Sequence, residues 1–453
     1  MDGGGGAGYG AGGGGGSGFV WTQETSKNAP SRYSVPTKYY LNNASTRTGQ
    51  RTGDGSARIT LIEGTREVTE TVTEETTSTT WKTIQGIIEE GILTGNFLWN
   101  GHTITVTDTN GETVVYGGKS DDIPTERPIP IPDGYVASQV EGENTKEDGL
   151  VIYEGTDPVT AENHATAMSS RNQYVWIPVD DINDMVMCSS NSGDSVCDLI
   201  YNEEANTLTC QTHPGAATEL VGRLYTGASS NTTDDDGNII YSYTMDFTKR
   251  DQTYNTSSCH EPNTVSSDAS NGLELSQLES DFTAMAKSVA KNGGFYISRY
   301  EVGANGDSKK NQQVLTTASS NGTNYLGANK WYGLYNTLRE NNRPMIWGCQ
   351  YDQVIKFLKE NGEDPENGHS DRNLTIAHAL SGQNELDKMK NIYDLEGNHA
   401  EWTAEANSHN NRAPRGSSYN NAYLGYFYPA GARYNNYPPF SYSSSSSRST
   451  LYL

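Results

Sequence analysis

The side chains best suited to recognise another molecule lie at the C-terminal end of the chain, in residues 415–453. Between Tyr419 and Ser447 the sequence holds Tyr, Asn, Ser, Phe, Pro, Ala and Gly with one Leu and one Arg, and it lacks Asp, Glu, Lys, His, Cys and Trp. Tyr gives a rigid amphipathic contact surface at low entropic cost, whereas Asn, Ser and Gly give adaptable hydrogen bonds. The aromatic residues follow neither a helical nor a strand period. The pattern predicts a non-covalent binding surface made of loops. The alternative is a disordered low-complexity tail, but disordered segments are poor in aromatic residues.

Residue types found in catalytic and metal sites are present, but their spacing matches no familiar site. The cysteine count is odd and fits no zinc pattern; the five are Cys188, Cys197, Cys210, Cys259 and Cys349. One or two disulfides outside a cell and buried free thiols both agree with this set. There is no convincing G-x-S-x-G motif, phosphate-binding loop or carboxylate pair. We therefore expect a protein that is not an enzyme and that requires no cofactor.

Composition and charge limit the classes of protein to which the chain can belong. At 453 residues it has room for two or three domains, and 33% hydrophobic residues with 48 glycines is low for one continuous core. The net charge of −24 argues against binding to nucleic acid phosphates or anionic lipid. No apolar run is long enough to cross a bilayer, and glycines rather than a signal peptide follow Met1. We expect a cytoplasmically made protein, a virion component or a fragment of a longer secreted protein, with no nucleic acid partner and no membrane insertion.

Before residue 133 the sequence divides into three stretches, none of which predicts a large hydrophobic core. Residues 1–62 begin as a glycine tract and end in GDGSARITLI, whereas residues 63–82 predict a solvated Thr/Glu-rich connector. Alternating β-branched residues around Asn110-Gly111 predict a hairpin in a small β element at about 97–118, and a proline-rich linker follows. The end of the first stretch resembles the glycine-rich domain of anaplastic-lymphoma-kinase-type receptors and of many bacterial surface and phage proteins. That resemblance implies an ordered tract and a chain that begins inside the domain.

From residue 133 onward the periodicities are those of a globular domain. Apolar stripes predict helices, and β-branched and aromatic runs predict strands. The predicted helices are 273–291 and 346–358, the predicted strands are 149–153, 174–179 and 294–302, and a turn leading into a strand is predicted at 393–403. The polar stretch 189–272 predicts an insertion of surface loops. The expected organisation is a glycine-rich domain at 1–62, a connector, hairpin and linker at 63–132, and an α+β domain at 133–453.

Four pieces of that domain, in this order, resemble the formylglycine-generating-enzyme (sulfatase-modifying factor) family. They are VWIPV at 175–179, GFYISRYEVG at 294–303, YDLEGNHAEWT at 393–403 and RGSS at 415–418. The resemblance covers about 146–453 and implies a variant of the C-type lectin fold, with a small twisted antiparallel sheet, two helices and much irregular structure. An enzyme of this type with atypical site residues is the alternative function. The oxidase and sulfoxide-synthase activities are not expected, because no cysteine follows Cys349 and no His-x-x-x-His-x-Glu occurs.

Within that family, the C-terminus resembles the variable proteins of diversity-generating retroelements. The matching pieces are RGSSY at 415–419, PAGAR at 429–433 and SRSTLYL at 447–453, with Ser417 in place of a usual Gly and Ser449 in place of a usual Pro. In such systems, copying errors at template adenines vary Asn codons but do not produce Lys, Glu, Gln, Met or Trp. The stretch from Tyr419 to Ser447 contains none of these five. A near-identical repeat of the 3′ coding end beside a reverse transcriptase gene is the companion we expect in the DNA.

The resemblance implies a display protein, in which a fixed backbone presents changeable side chains to a protein or glycan on a target cell surface. We expect it in a phage tail or on a bacterial surface, as a homotrimer or within a larger fibre. Tyr and Phe would be anchors and Asn and Ser polar fillers; the expected ligand-binding residues are Tyr419, Asn420, Asn421, Tyr423, Tyr426, Phe427, Tyr434, Asn435, Asn436, Tyr437, Phe440, Ser441 and Tyr442. Arg415, Arg433 and Arg448 are expected to pair with carboxylates or carbonyls beneath the loops. A third hypothesis is an assembly protein whose Tyr-rich end packs on itself.

The resemblance also implies a calcium site in the turn at 393–403. In the family the ligands come from the positions of Asp394, Gly397, His399 and Glu401, through two side chains and two backbone carbonyls. Carboxylate and carbonyl oxygens converging from one tight turn suit a hard cation. The alternative is that Asp394 caps the turn and Glu401 pairs with an arginine such as Arg415.

Overall fold

The computed structural model describes most of the chain from residue 129 onward and a few strands before it. The described residues are Lys27, 92–94, 97–99, 103–107, 113–117, 129–189, 198–202, 205–211, 219–250, 275–318, 325–328, 330–373, 375–408, 411–434 and 442–452. The chain divides into two units, Met1–Thr77 and Ser78–Leu453. The predicted glycine-rich domain and Thr/Glu-rich connector lie outside the described residues, apart from Lys27.

The described part of the chain combines helices with short strands, so the protein is α+β. The helices are α1 His164–Ser170, α2 Leu275–Asn292, α3 Lys330–Glu340, α4 Gly348–Glu360 and α5 Tyr419–Tyr423. The strands are β1 Ile92–Thr94, β2 Phe97–Trp99, β3 Thr103–Thr107, β4 Thr113–Gly117, β5 Ile129–Ile131, β6 Tyr135–Ala137, β7 Val151–Glu154, β8 Gln173–Pro178, β9 Val186–Ser189, β10 Leu199–Asn202, β11 Thr207–Cys210, β12 Glu219–Gly222, β13 Tyr225–Thr233, β14 Ile239–Arg250, β15 Gly294–Ser298, β16 Val314–Thr316, β17 Tyr325–Gly327, β18 Lys388–Met389, β19 Ile392–Tyr393, β20 Ala400–Ser408, β21 Asn411–Arg415, β22 Tyr426–Phe427, β23 Ser445–Ser447 and β24 Thr450–Leu451. No helix in these stretches is both long and apolar enough to span a bilayer.

A five-stranded antiparallel sheet forms the centre of the fold, with strand order β24-β15-β8-β7-β6. Side chains alternate between its faces. Val175 and Ile177 of β8 join the large core beside α2 and α4, whereas Trp176 packs against Tyr296 in a smaller cluster on the opposite face. Burial on both faces explains why β8 reads as an almost continuous apolar run in the sequence. The predicted strands at 149–153 and 174–179 are thus confirmed with small shifts of boundary, and the one predicted at 294–302 is confirmed but ends at Ser298.

Both predicted helices are confirmed, and one helix was missed. The apolar stripe of α2, which includes Phe282, Met285 and Val289, is fully buried. Helix α4 ends at the predicted Asn361-Gly362, where Gly362 takes a φ of +86° that suits glycine after a helix. Helix α3 was not predicted, because its aromatic residues and an internal glycine have modest helix propensity.

The insertion at 189–272 is more regular than predicted. Its described residues contain strands rather than only surface loops, and the longest pair, β13 and β14, forms an antiparallel ribbon. The prediction of loops was wrong for a local reason. Asp236-Gly237 is a hairpin turn signal between two strand-like runs, and the many polar residues around it obscured that signal. Cys210 is disulfide-bonded, whereas Cys349 is buried and not part of a disulfide, so both states left open by the sequence occur.

The predicted hairpin near the start of the second unit is confirmed. Strands β3 and β4 pair antiparallel, with Thr103 opposite Gly117 and Thr107 opposite Thr113. Strand β2 adds to the other edge of β3. The result is a three-stranded meander, which is the small β element expected at about 97–118.

A buried ion cluster ties the first strands of the sheet to the strand β15. Arg299, directly after β15, lies 2.6 Å from a carboxylate oxygen of Glu143, and both side chains are almost fully buried. The hydroxyls of Ser138 and Tyr153 donate to Glu143 at 2.8 and 3.0 Å. Burial alone would raise the pKa of Glu143, but the charge and hydrogen bond of Arg299 hold it below its usual value.

Replacing Glu143 with Gln should lower the free energy of unfolding by about 3 kcal/mol, because it leaves the Arg299 guanidinium buried without its counter-charge. Since the folded pKa of Glu143 is depressed, its stabilisation is present above about pH 5 and is lost as the pH falls below about 4. Denaturant unfolding at neutral and acidic pH measures both effects. Glu141→Gln, an exposed change two residues away, is the control and should alter stability by under about 0.5 kcal/mol. Equal loss in the two variants, or a difference independent of pH, would contradict the assignment.

Candidate functional site

The predicted binding segment is built into the sheets at both ends. It begins at β21, which pairs antiparallel with β20 so that Arg415 lies opposite Glu401. It ends at β23 and β24, of which β23 pairs parallel with β20 and β24 closes one edge of the central sheet. Hydrogen-bonded strands therefore fix the entry and exit of the segment.

Three buried arginines hold the segment from beneath. Arg415 and Arg433 both reach Asp352 on α4, at 2.8 and 2.9 Å, whereas Arg448 lies 2.8 Å from Glu401. The exposed fraction of each arginine side chain is 3% or less. These contacts confirm the sequence prediction that the three arginines pair with carboxylates under the loops.

The Asp352 carboxylate is the centre of a larger charge cluster. Glu405 of β20 is buried beside the same arginines, 3.6 Å from Arg415 and 3.3 Å from Arg433. Asp352 also accepts a hydrogen bond of 3.0 Å from the backbone N–H of Tyr225, the first residue of β13. One carboxylate thus joins α4, both ends of the loop between Arg415 and Arg433, and the ribbon of the insertion.

Between these anchors, a short stretch of the segment faces outward. The exposed fractions are 76% for Tyr423, 58% for Leu424 and 39% for Tyr426, and Asn420 is exposed as well. Asn421 is half-buried. Large exposed apolar side chains that adjoin one another are uncommon on a protein surface and mark contact sites.

Tyr419, the first residue of the predicted contact set, is partly enclosed. Its ring packs edge-on against His378 and His399, with centroids 5.1 and 5.7 Å away, and its hydroxyl lies 3.3 Å from that of Ser443. Burial lowers the pKa of His399 to about 3, so this imidazole is neutral. Tyr419 therefore joins the exposed stretch to a neutral ring cluster below it.

Other members of the predicted contact set face inward or are not described. Phe427 is only 5% exposed, so its assignment as a contact residue is wrong. The physical reason is that Tyr426 and Phe427 form a two-residue strand, whose successive side chains point to opposite faces. Burial raises the pKa of the Tyr434 hydroxyl far above its usual value, and Tyr442 packs against the core near Trp402. The members that lie outside the described residues are Asn435, Asn436, Tyr437, Phe440 and Ser441.

Two surface tyrosines were missed by the sequence analysis. Tyr428 stacks on Tyr241 of β14, with centroids 4.1 Å apart and planes 11° from parallel. Burial and a hydrogen bond with Tyr241 raise the pKa of Tyr428 to about 12. Tyr428 belongs to the same Tyr-rich stretch and carries the same sequence signal as its neighbours. Tyr241 gave no comparable signal, because nothing local links the insertion to the C-terminus.

The turn at 393–403 does not fit the calcium site that the resemblance implies. Both oxygens of Glu401 are engaged, one by Arg448 at 2.8 Å and the other by the hydroxyl of Tyr351 at 3.1 Å. Asp394 accepts a hydrogen bond of 2.5 Å from the backbone N–H of Gly382, and burial raises its pKa to about 8. Gly397 donates its N–H to Asp387, and His399 donates its own to Glu301. Among the described residues, no three His, Cys, Asp or Glu side chains lie together in a way that could hold a metal ion.

Asp352→Asn should lower the free energy of unfolding by about 3 to 5 kcal/mol, because it leaves two buried guanidinium groups with too little negative charge. Denaturant titration gives the stability, and amide hydrogen exchange over 415–434 reports whether the loop loosens first. Asp371→Asn, an exposed change, should cost under about 0.5 kcal/mol. If the two substitutions proved equally mild, Asp352 would not be the anchor.

Calcium added to chelator-treated protein should give no binding heat and no shift in melting temperature, because the carboxylates of the turn already have partners. Isothermal titration calorimetry and differential scanning calorimetry measure the two quantities. A stoichiometric heat that disappears in Asp394→Asn would restore the calcium site.

The chain was compared with protein-family models and with curated proteins, and it matches none of them. Assignment of its function therefore depends on the chain's own residues and geometry.

Proposed function

We propose that this chain is a non-enzymatic display protein, in which a lectin-like frame presents a variable C-terminal segment to ligands. The observation that carries the proposal is that the charged side chains of that segment are buried, whereas several of its uncharged side chains are exposed. Arg415, Arg433 and Arg448 are buried in ion pairs, whereas Tyr423, Leu424 and Tyr426 between them face solvent. A backbone fixed from below can accept many side chains above without refolding.

The lectin-like frame is supported by architecture alone. The small antiparallel sheet, the two long helices α2 and α4, and the large share of irregular backbone agree with the C-type lectin variant that the sequence resembles. The last strand, β24, adds to the edge of that sheet beside β15. In this proposal the N-terminal glycine-rich segment attaches the domain to a phage tail or to a bacterial surface structure.

The ligand of such a surface is a protein or glycan on a target cell. The exposed stretch is uncharged, with tyrosine and leucine as its large side chains. Tyr combines an apolar ring with a polar tip, and it forms contacts without the entropic cost of longer side chains. Variation by a retroelement would change these side chains while leaving the anchors untouched.

The proposal is tested with a library of the full chain in which Asn420, Tyr423 and Tyr426 are fully randomised. Most members should fold, because exposed substitutions change stability by about 0.5 kcal/mol or less, and panning against immobilised lysozyme should yield specific binders. Protease resistance on the display surface measures folding, and equilibrium titration measures affinity.

A matched library at buried positions serves as the control. Randomising Ala422, Phe427 and Ala430, which are 5% exposed or less, should leave few folded members, mainly with small or apolar residues. The proposed function is wrong if the exposed library folds no better than the buried one, or if it folds and yields no binder.

A further inference from the structure

The ribbon formed by β13 and β14 lies against the exposed stretch of the C-terminal segment, although the two are far apart in sequence. The backbone N–H of Ile239 donates to the carbonyl of Gly425 at 2.8 Å. Strand β14 then pairs parallel with β22, so that Ile239 lies opposite Tyr426 and Ile240 opposite Phe427. The insertion and the variable segment thus form one three-stranded sheet.

Their aromatic side chains also form one layer. Tyr241 stacks on Tyr428 at 4.1 Å and meets Tyr426 edge-on at 6.4 Å. The ring of Tyr428 also packs edge-on against that of Tyr434, with centroids 5.2 Å apart. Tyr426 is at the exposed end of this layer and Tyr434 at the buried end, and the half-buried Tyr241 extends the layer beyond the C-terminal segment.

The ribbon is held firmly enough to act as a fixed surface. The backbone N–H of Tyr243 donates to the carbonyl of Glu366 at 2.7 Å, and that of Gly368 donates to the carbonyl of Tyr241 at 2.8 Å. The hydroxyl of Ser242 donates to the side chain of Asn367 at 2.6 Å. A Cβ at position 368 would lie 2.2 Å from the carbonyl oxygen of Phe427, so only glycine permits this close packing.

The tip of the ribbon supplies a charge that the variable segment lacks. Residues 419–447 contain no acidic side chain, whereas Asp235 and Asp236 are exposed at the turn that leads into Ile239. The third acid of that turn, Asp234, accepts hydrogen bonds of 3.0 and 2.8 Å from the N–H groups of Asp236 and Asn238. Asp234 therefore shapes the turn, and the other two carboxylates remain available to a partner.

We propose that the ribbon is a constant part of the binding surface, and that the partner is a protein whose contact area combines an apolar or aromatic patch with basic side chains beside it. This inference rests on the proposed function. The variable side chains would set which protein is bound, while Tyr241 and the carboxylates at positions 235 and 236 would contribute to every complex. The exposed Leu424 and the exposed carboxylates of the turn favour a protein with an apolar patch and basic side chains over a glycan.

The test uses full-length clones selected against lysozyme, a basic protein, from the library described above. Tyr241→Ala should weaken binding at least tenfold in most clones, because it removes a ring next to the selected side chains. The double variant Asp235→Asn, Asp236→Asn should weaken binding about threefold or more at low salt and less at high salt. Thr244→Ala, exposed on the same strand but pointing to the other face, and the pair Asp133→Asn, Glu147→Gln, exposed outside the ribbon, should change affinity less than twofold.

The possible outcomes distinguish this inference from the proposed display function on which it rests. If selected clones bind lysozyme and neither ribbon variant changes their affinity, the ribbon has no role in binding, and the proposed display function is unaffected. A folded library without binders refutes both. If Tyr241→Ala does not fold, the double variant at the exposed turn decides, since neither side chain packs in the core.

Discussion

The buried carboxylate of Asp352 is the constraint on which the proposed binding region depends. Charged groups are costly to remove from water unless they are paired, so each partner in such a cluster is held in place by the others. Here the partners come from separate parts of the chain: Arg415 and Arg433 from the C-terminal segment, Tyr225 from the ribbon and Asp352 itself from α4. The same interaction therefore sets the position of the loop, the ribbon and the helix relative to one another.

This arrangement meets two requirements that usually conflict, a variable sequence and an ordered backbone. A recognition loop that is free to change its sequence is normally also free to move, and ordering it on binding reduces affinity. Here the immobilising contacts are made by arginine side chains below the loop and by strand pairing at its ends, not by the exposed residues. Tyr423 or Asn420 can be replaced without removing any of them. Surface diversity and backbone order are thus compatible in the same segment.

Local patterns predicted much of this fold, and non-local pairing accounts for most of what was missed. The stripe of α2, the apolar run of β8 and the Asn-Gly hairpin each carry a signal within a few residues. The three arginines were also predictable, because a guanidinium in an otherwise neutral aromatic stretch needs a partner beneath it. Which carboxylate each arginine would contact was not predictable. Pairing of Glu401 with an arginine such as Arg415 was one of two alternatives, and the arginine that it pairs with is Arg448.

The errors at the site have the same origin. Phe427 and Tyr426 are adjacent aromatics with equivalent sequence signals, and only the pairing of β22 with β14 determines which one faces the solvent. The role of Tyr241 depends on that same pairing across almost two hundred positions of sequence. Helix α3 is a different case, since its glycine and aromatic residues have modest helix propensity and gave no local signal for a helix.

The position of β24 in the central sheet has a consequence for synthesis of the protein. Its residues, Thr450 and Leu451, complete the edge beside β15 and follow the whole Tyr-rich stretch in the chain. The five-stranded sheet is therefore complete only after translation has passed through the whole Tyr-rich stretch. A copy interrupted by a premature stop or shifted reading frame within that stretch would lack Arg448 and the closing strand.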